Sequence, residues 1–243
     1  MRIQTIGRTD KGLRRENNED AFVVMPNGLC CSVADGMGGA AAGEVASGIF
    51  IETVEELFAP RSGLAEEEMN ALVQQAFLLG NERIIQCARA IPEYRGMGCT
   101  AELIIFSGDR YLIGHLGDSR TYLFRDAALR QVTKDHSLVQ HQVDQGLISA
   151  AEARTHGMKN VVLQALGIEQ ELSLDIIRGR LLPGDIFLLC SDGLSDMLDD
   201  AGISEILASA RQLGDKAELL IQGALACGGR DNVTVVLCQA SEN

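Results

Sequence analysis

Residues 100–124, TAELIIFSGDRYLIGHLGDSRTYLF, carry the pattern that decides the fold. Thr100–Phe106, Tyr111–His115 and Thr121–Phe124 are β-branched, aromatic or apolar and read as three strands. Ser107-Gly108-Asp109 and Gly117-Asp118-Ser119 interrupt them as turns. Connections this short predict antiparallel neighbours.

Upstream, residues 2–7 alternate enough for a strand, and 21–25 and 29–34 read as a hairpin turned by Pro26-Asn27-Gly28. Asp35-Gly36-Met37-Gly38-Gly39 breaks that pattern. Residues 44–59 set Val45, Ile49, Phe50, Val54 and Phe58 on one side of a helix that Pro60 closes. Residues 65–90 repeat Met69, Leu72, Val73, Ala76, Phe77 and Ile84 at the three- and four-residue steps of a second helix. Downstream, 172–178 and 186–191 read as strands, two helices open at Asp200 and Asp215 as N-caps, and a last strand covers 233–239. Within the more polar stretch 136–160, Ser149 and Glu152 resemble a capping box. Strand clusters alternating with helix pairs predict an α+β chain of antiparallel sheets covered by helices.

The 243 residues are 46% apolar and 23% charged, with four prolines and no Pro/Ser/Gly-rich linker, which predicts one domain over 1–243. A net charge of −13 disfavours nucleic acid and anionic membranes as partners. No run approaches the roughly 20 apolar residues of a membrane helix, and the N-terminus lacks an apolar leader. The expected location is therefore cytoplasmic. Seven cysteines, at 30, 31, 87, 99, 190, 227 and 238, include no Cys-x-x-Cys spacing. Most lie in apolar runs, which predicts buried reduced thiols.

Carboxylates recur where strands begin or end, often beside glycine: Asp20, Asp35, Asp118, Asp192 and Asp231. Hard divalent cations take oxygen ligands. Carboxylates forced together without a cation repel one another, and glycine lets its own carbonyl approach an ion. Each Asp-Gly alone is equally a hairpin turn, so spacing by itself reaches only a metal-binding enzyme of unspecified type.

The order of the pieces says more. Arg15-Glu16-Asn17-Asn18-Glu19-Asp20, Val33-Ala34-Asp35-Gly36-Met37-Gly38-Gly39, Gly98-Cys99-Thr100, Gly117-Asp118-Ser119-Arg120, Asp135-His136-Ser137-Leu138-Val139, Ser191-Asp192-Gly193-Leu194 and Asp231-Asn232-Val233-Thr234 follow in that order. Together they closely resemble the motif series of PP2C (PPM-family) protein phosphatases of bacterial type, from about Gly7 to Val236.

The resemblance implies a four-layer α-β-β-α sandwich, two antiparallel sheets stacked face to face between helix pairs. It implies a protein serine/threonine phosphatase that hydrolyses phosphoserine and phosphothreonine through a hydroxide bridging two Mn²⁺ or Mg²⁺ ions. Asp35 would bridge the ions and the Gly36 carbonyl would bind one of them. Asp192 and Asp231 would complete the other site, and Glu19 and Asp20 would hold ion-bound waters or bind directly. Asp118 with Asp192 matches a third metal site of bacterial members. Arg15 matches the phosphate-binding arginine, so Arg15, Asp20 and Asp35 form the implied catalytic set. The implied partners are phosphorylated proteins and a cognate Ser/Thr kinase, with no nucleic acid, no membrane and a monomeric state. The physics agrees with these roles. Two ions about 3.5–4 Å apart neutralise a phosphate dianion, and a bound metal can bring the pKa of water to about 7. An arginine grips the non-bridging oxygens bidentately.

One position departs from the animal pattern. Met37 stands where a proton-donating histidine is usual, and methionine donates no proton. Bacterial members commonly carry methionine there. A metal-bound water is the preferred acid, with His115 and His136 as alternatives. Residues 137–160 correspond to a mobile flap whose Gln140, His141, Gln145, His156 and Lys159 are candidates for substrate contact. Other phosphate chemistries lack their signatures: no cysteine is followed by arginine six positions on, Gly-Lys never occurs, and no His-Glu-x-x-His is present. The remaining alternative is a weakly catalytic regulatory or binding module on the same fold, whose expected signature, lost metal-site aspartates, is missing.

Overall fold

The computed structural model describes residues 1–26, 28–38, 42–59, 61 and 63–242. Asn27 of the first hairpin turn, Gly39 of the glycine cluster and the helix stop at Pro60 lie outside the described residues.

Chain order runs β1 (Arg2–Asp10), β2 (Asp20–Val24), β3 (Cys30–Met37), α1 (Ala42–Phe58), α2 (Glu66–Ala90), β4 (Gly98–Cys99), β5 (Ala101–Ser107), β6 (Arg110–Leu116), β7 (Arg120–Arg125) and β8 (Ala128–Gln131). It continues with α3 (Leu138–Asp144), α4 (Ala150–Thr155), β9 (Asp175–Arg180), β10 (Ile186–Cys190), α5 (Asp192–Ser195), α6 (Asp200–Ala208), α7 (Leu213–Ala226) and β11 (Val233–Ser241). One antiparallel sheet has the order β1-β11-β10-β7-β8. The other has the order β2-β3-β5-β6-β9, with β4 paired to β3.

Both faces of the central strands are buried, so their sequences are continuous apolar runs with no polar alternation. In β10, Ile186, Leu188 and Cys190 face α6 and α7, while Phe187 and Leu189 enter the core between the sheets. In β5, Leu103 and Ile105 pack with Phe50 and Phe77 of α1 and α2, and Ile104 and Phe106 turn to the inter-sheet core. Phe187 anchors that core through edge-on contacts with Tyr111 at 4.7 Å and Phe106 at 5.8 Å. The four layers implied by the sequence are the layers observed.

The details differ in instructive places. β3 continues through Asp35-Gly36-Met37, because Asp35 pairs with Asp20 of β2 while Gly36 and Met37 pair with Cys99 and Gly98 of β4. The Gly117-Asp118-Ser119 turn joins strands of different sheets; β6 and β7 are not neighbours. α6 is capped by Asp199, whose carboxylate accepts the Gly202 amide at 2.8 Å, and Asp215 lies inside the first turn of α7, where its charge suits the helix dipole. The strand expected from 172 begins at Asp175, because Leu172 and Leu174 pack against the helix-side core first. β8 has no local sequence signal, because its turn uses Asp126 and Ala127 at φ of 52° and 58°, a left-handed pair with no glycine. No helix among the described residues is long and apolar enough to cross a membrane.

Candidate active site

Strand ends from both sheets meet at one edge of the sandwich. β1 stops at Asp10 opposite Val233, β10 stops at Cys190 opposite Arg120, β2 starts at Asp20 opposite Asp35, and β6 stops at Leu116 opposite Ala101. Two connections cross between the sheets here. Residues 11–19 lead from β1 to β2 and carry Arg15 and Glu19. Residues 117–119 lead from β6 to β7 and carry Asp118. Asp192 opens α5 directly behind β10, and Asp231 stands just before β11. Aspartates far apart in sequence thus gather around one end of two stacked sheets.

Neutral side chains hold them there. Ser191 Oγ donates to Asp20 Oδ2 at 2.7 Å and accepts the Thr234 amide at 3.0 Å. Thr100 Oγ1 accepts the Asp35 amide at 3.0 Å and lies 2.7 Å from Ser119 Oγ, while the Thr100 amide donates to the Asp35 carbonyl at 2.9 Å. The Gly36 amide donates to the Glu19 carbonyl at 3.1 Å. A Cβ on Gly36 would sit 2.2 Å from the Gly43 carbonyl oxygen and 2.6 Å from that of Glu19, so only glycine permits this approach. These hydroxyls lie inside the recognised motifs, but a neutral serine or threonine gives no sequence signal of its own.

The electrostatics reflect the crowding. Asp20 and Asp118 are buried, and Asp35, Asp192 and Asp231 are half-buried. Burial pushes the Asp35 carboxyl well above the usual range, and repulsion from Asp20, Asp192, Asp118 and Asp231 adds to it. Burial does the same to Asp192, with Asp118, Asp231, Asp196 and Asp20 adding. Asp20 is pushed up to about 6 by burial, against hydrogen bonds from Thr234 and Ser191. Asp118 is pushed up to about 7 by burial and then by Asp135. Burial also raises Glu19, which Arg15 opposes.

The donor set fits hard divalent ions. It is made of oxygens alone, and Asp20 Oδ1 is buried with no hydrogen-bond partner, an arrangement proteins rarely leave unfilled. Among the described residues, no three acidic, imidazole or thiol side chains close into a finished ligand shell. Mg²⁺ keeps several waters and takes only one or two carboxylates, so an ion of that kind does not require a closed protein cage.

Arg15 is half-exposed at 49%, and its Nη2 donates to Asp231 Oδ2 at 2.7 Å. The arginine is therefore anchored on one of the gathered aspartates. The two histidines are committed elsewhere. His115 is fully buried, one ring nitrogen against Glu102 and the other 2.8 Å from the Lys134 carbonyl. His136 accepts the Gly117 amide on Nδ1 at 3.2 Å and points Nε2 toward Asp175 at 3.4 Å.

The 137–160 segment carries α3 and α4, and its ends are drawn together by a bridge between Ser137 and Val162. Beneath it lies a cavity of about 230 Å³, which Asp118 and Asp192 line together with Gln140, Arg154 and Lys159. His141 and Gln145 bond each other on the exposed side, and His156 accepts the Met158 amide; these three do not line the cavity.

Comparison with known proteins agrees with this geometry. A protein phosphatase 2C family model matches residues 12–227. The serine/threonine protein phosphatase PstP of Mycobacterium tuberculosis is 42% identical over 236 residues, 97% of this chain and 44% of that protein, so the chain spans less than half of that relative's length. The serine/threonine phosphatase stp of Listeria innocua is 38% identical over 236 residues, covering 96% of this chain and 94% of that one. A crystal structure of the catalytic domain of PstP in complex with two manganese ions superposes with a TM-score of 0.90 at 38% identity, over 99% of both chains.

Proposed function

The chain belongs to the protein phosphatase 2C family, a family of phosphoprotein phosphatases, and on that premise we infer that it hydrolyses phosphoserine and phosphothreonine on proteins with Mn²⁺ or Mg²⁺ as cofactor. The carrying observation is the convergence of Asp20, Asp35, Asp118, Asp192 and Asp231 on one sandwich end, mutually repelling and oxygen-only, beside an arginine. Two manganese ions in the similar PstP structure support the cofactor reading.

When bound, the ions supply charge neutralisation and an acidified water. The remaining work falls to the chain's own groups. Asp35, Asp192 and Asp231, with the Gly36 carbonyl, would hold two ions, and Glu19 and Asp20 would hold ion-bound waters or bind directly. Asp118 with Asp192 offers a third position. Arg15 receives the phosphate: its Nη2 is anchored on Asp231, and the guanidinium hydrogens not used there are left for non-bridging oxygens. With His115 sealed against Glu102 and His136 engaged with Gly117, the leaving oxygen takes its proton from solvent at the site. The cavity under 137–160 receives the segment around the phosphorylated residue, and a Ser/Thr kinase is the opposing enzyme.

The test is Mn²⁺-dependent turnover of a phosphopeptide. Asp35→Asn and Asp192→Asn should each abolish it while far-UV circular dichroism stays unchanged, and Arg15→Ala should raise KM. Near-normal turnover by both aspartate variants would remove the metal assignment.

A further inference from the structure

We propose that Asn232 is a positioning residue that closes the neck of the loop carrying Arg15 and so sets where the guanidinium meets phosphate. The proposal rests on the phosphate role given to Arg15 above. Residues 11–19 leave β1 and return to β2 as two limbs with Arg15 between them. The Asn232 side chain is 3% exposed and lies where the limbs meet. Its Nδ2 donates both hydrogens, to the Lys11 carbonyl on one limb and the Asn17 carbonyl on the other, each at 2.9 Å. Its Oδ1 accepts the Glu19 amide at 2.8 Å. One amide group therefore joins both limbs and satisfies three backbone groups that have left the sheet ladder.

The contacts continue to the arginine itself. The Asn232 backbone amide donates to Asp231 Oδ1 at 2.8 Å, and Asp231 Oδ2 holds Arg15 Nη2 at 2.7 Å. Asn232, the loop, Arg15 and Asp231 thus form a closed ring of contacts. Other fastenings hold one limb each: the Glu19 carbonyl takes Ser47 Oγ at 2.6 Å and the Gly36 amide at 3.1 Å on the second. The Leu13 amide bonds the Gly229 carbonyl at 2.7 Å and holds only the first limb. Asn18 reaches Thr9 Oγ1 at 2.8 Å from the exposed side. The residue type follows from the donor pattern. Aspartate would keep the Glu19 bond but set an oxygen against two carbonyls, and serine has one donor where two are used. The backbone here is also held closely: a Cβ on Gly193 would lie 1.9 Å from the Asn232 backbone carbonyl oxygen.

The experiment compares Asn232→Ala and Asn232→Asp, alone and combined with Arg15→Ala, in the full chain. Its first readout, amide hydrogen exchange, does not depend on turnover. Exchange across residues 11–19 should rise in both Asn232 variants while β10 and β11 keep their protection. With saturating Mn²⁺, KM for a phosphopeptide should rise about tenfold, with kcat within about threefold of wild type. Adding Arg15→Ala should raise KM by less than about threefold further, because both changes remove one interaction; independent roles would multiply to about a hundredfold. Unchanged exchange at 11–19, or multiplicative effects on KM, overturns the proposal. If Arg15→Ala alone leaves KM unchanged, the phosphate role of Arg15 fails and the exchange result decides the hold of Asn232 on the loop. If Asn232→Ala does not fold, Asn232→Ser, which keeps one donor and buries no charge, carries every arm.

Discussion

Asp118→Asn should stabilise the protein in EDTA, and by more at pH 8 than at pH 5. Burial, followed by repulsion from Asp135, holds the Asp118 carboxyl up to about 7, against about 3.8 in an unfolded chain. Between those two values the folded state keeps a proton that the unfolded chain has already released. Stability therefore falls as pH rises through that window, and the whole penalty stands above pH 7. At about 1.4 kcal/mol for each pH unit, the rise corresponds to about 4 kcal/mol at pH 8 and under about 2 kcal/mol at pH 5. Asparagine keeps the shape and removes the charge. Urea unfolding in EDTA at the two pH values measures the contrast. Even if only half of it survives relaxation, about 1 kcal/mol separates the two conditions and is resolvable from transition midpoints. Saturating Mn²⁺ should reverse the ranking, because ions stabilise the form that binds them more tightly. A variant less stable than wild type at pH 8 in EDTA, or one with equal gains at both pH values, would refute a crowded anionic site at Asp118.

Gly36→Ala should cost about 1–3 kcal/mol and abolish turnover, because its Cβ must displace the Gly43 carbonyl oxygen, 2.2 Å away, beside Asp35; full activity with an unchanged unfolding midpoint would show that this strand end can yield. Glu102→Gln should destabilise by about 3 kcal/mol, since it leaves fully buried His115 without its charged partner. Burial opposes protonation of His115, but Glu102 outweighs it and holds the imidazole at about 9. The part of the stability carried by the His115 proton is thus fully present below about pH 6.5 for as long as Glu102, itself pushed up by burial, stays ionised, and is lost as pH rises through about 9, so the cost of Glu102→Gln should shrink in alkaline urea titrations; a pH-independent cost would mean that the proton is not held by the pair.

The fold was legible where burial constrains side chains over many residues. Central strands buried on both faces read as apolar runs, and α2 read as a long amphipathic repeat. What escaped was decided by single backbone choices. Asp126 and Ala127 adopt left-handed φ without glycine, so the turn into β8 had no marker. Asp118 sat in a turn short enough for a hairpin, yet its strands belong to different sheets. No local pattern distinguishes these, because strand periodicity reports which face is buried and not which sheet a strand joins.

The same limit explains which site residues were found. At the end where the sheets meet, strands leave their ladders, and freed backbone groups need new partners. Thr100 and Asn232 supply them, while Ser191 serves both the Thr234 amide and Asp20. The aspartates stand out in sequence because charge beside glycine at strand ends is conspicuous. Their supports are neutral, and each acts through a long-range contact: Ser191 with Asp20, Thr100 with Asp35, Asn232 with the limbs on either side of Arg15. A carboxylate can be exchanged for its amide with little change of shape, so replacing an aspartate removes its charge and one acceptor oxygen but leaves the side chain in place. Removing a support moves the charge without abolishing it. If the gathering of carboxylates matters and not merely their number, Thr100 and Asn232 variants must weaken Mn²⁺ or phosphate binding although every acidic residue remains.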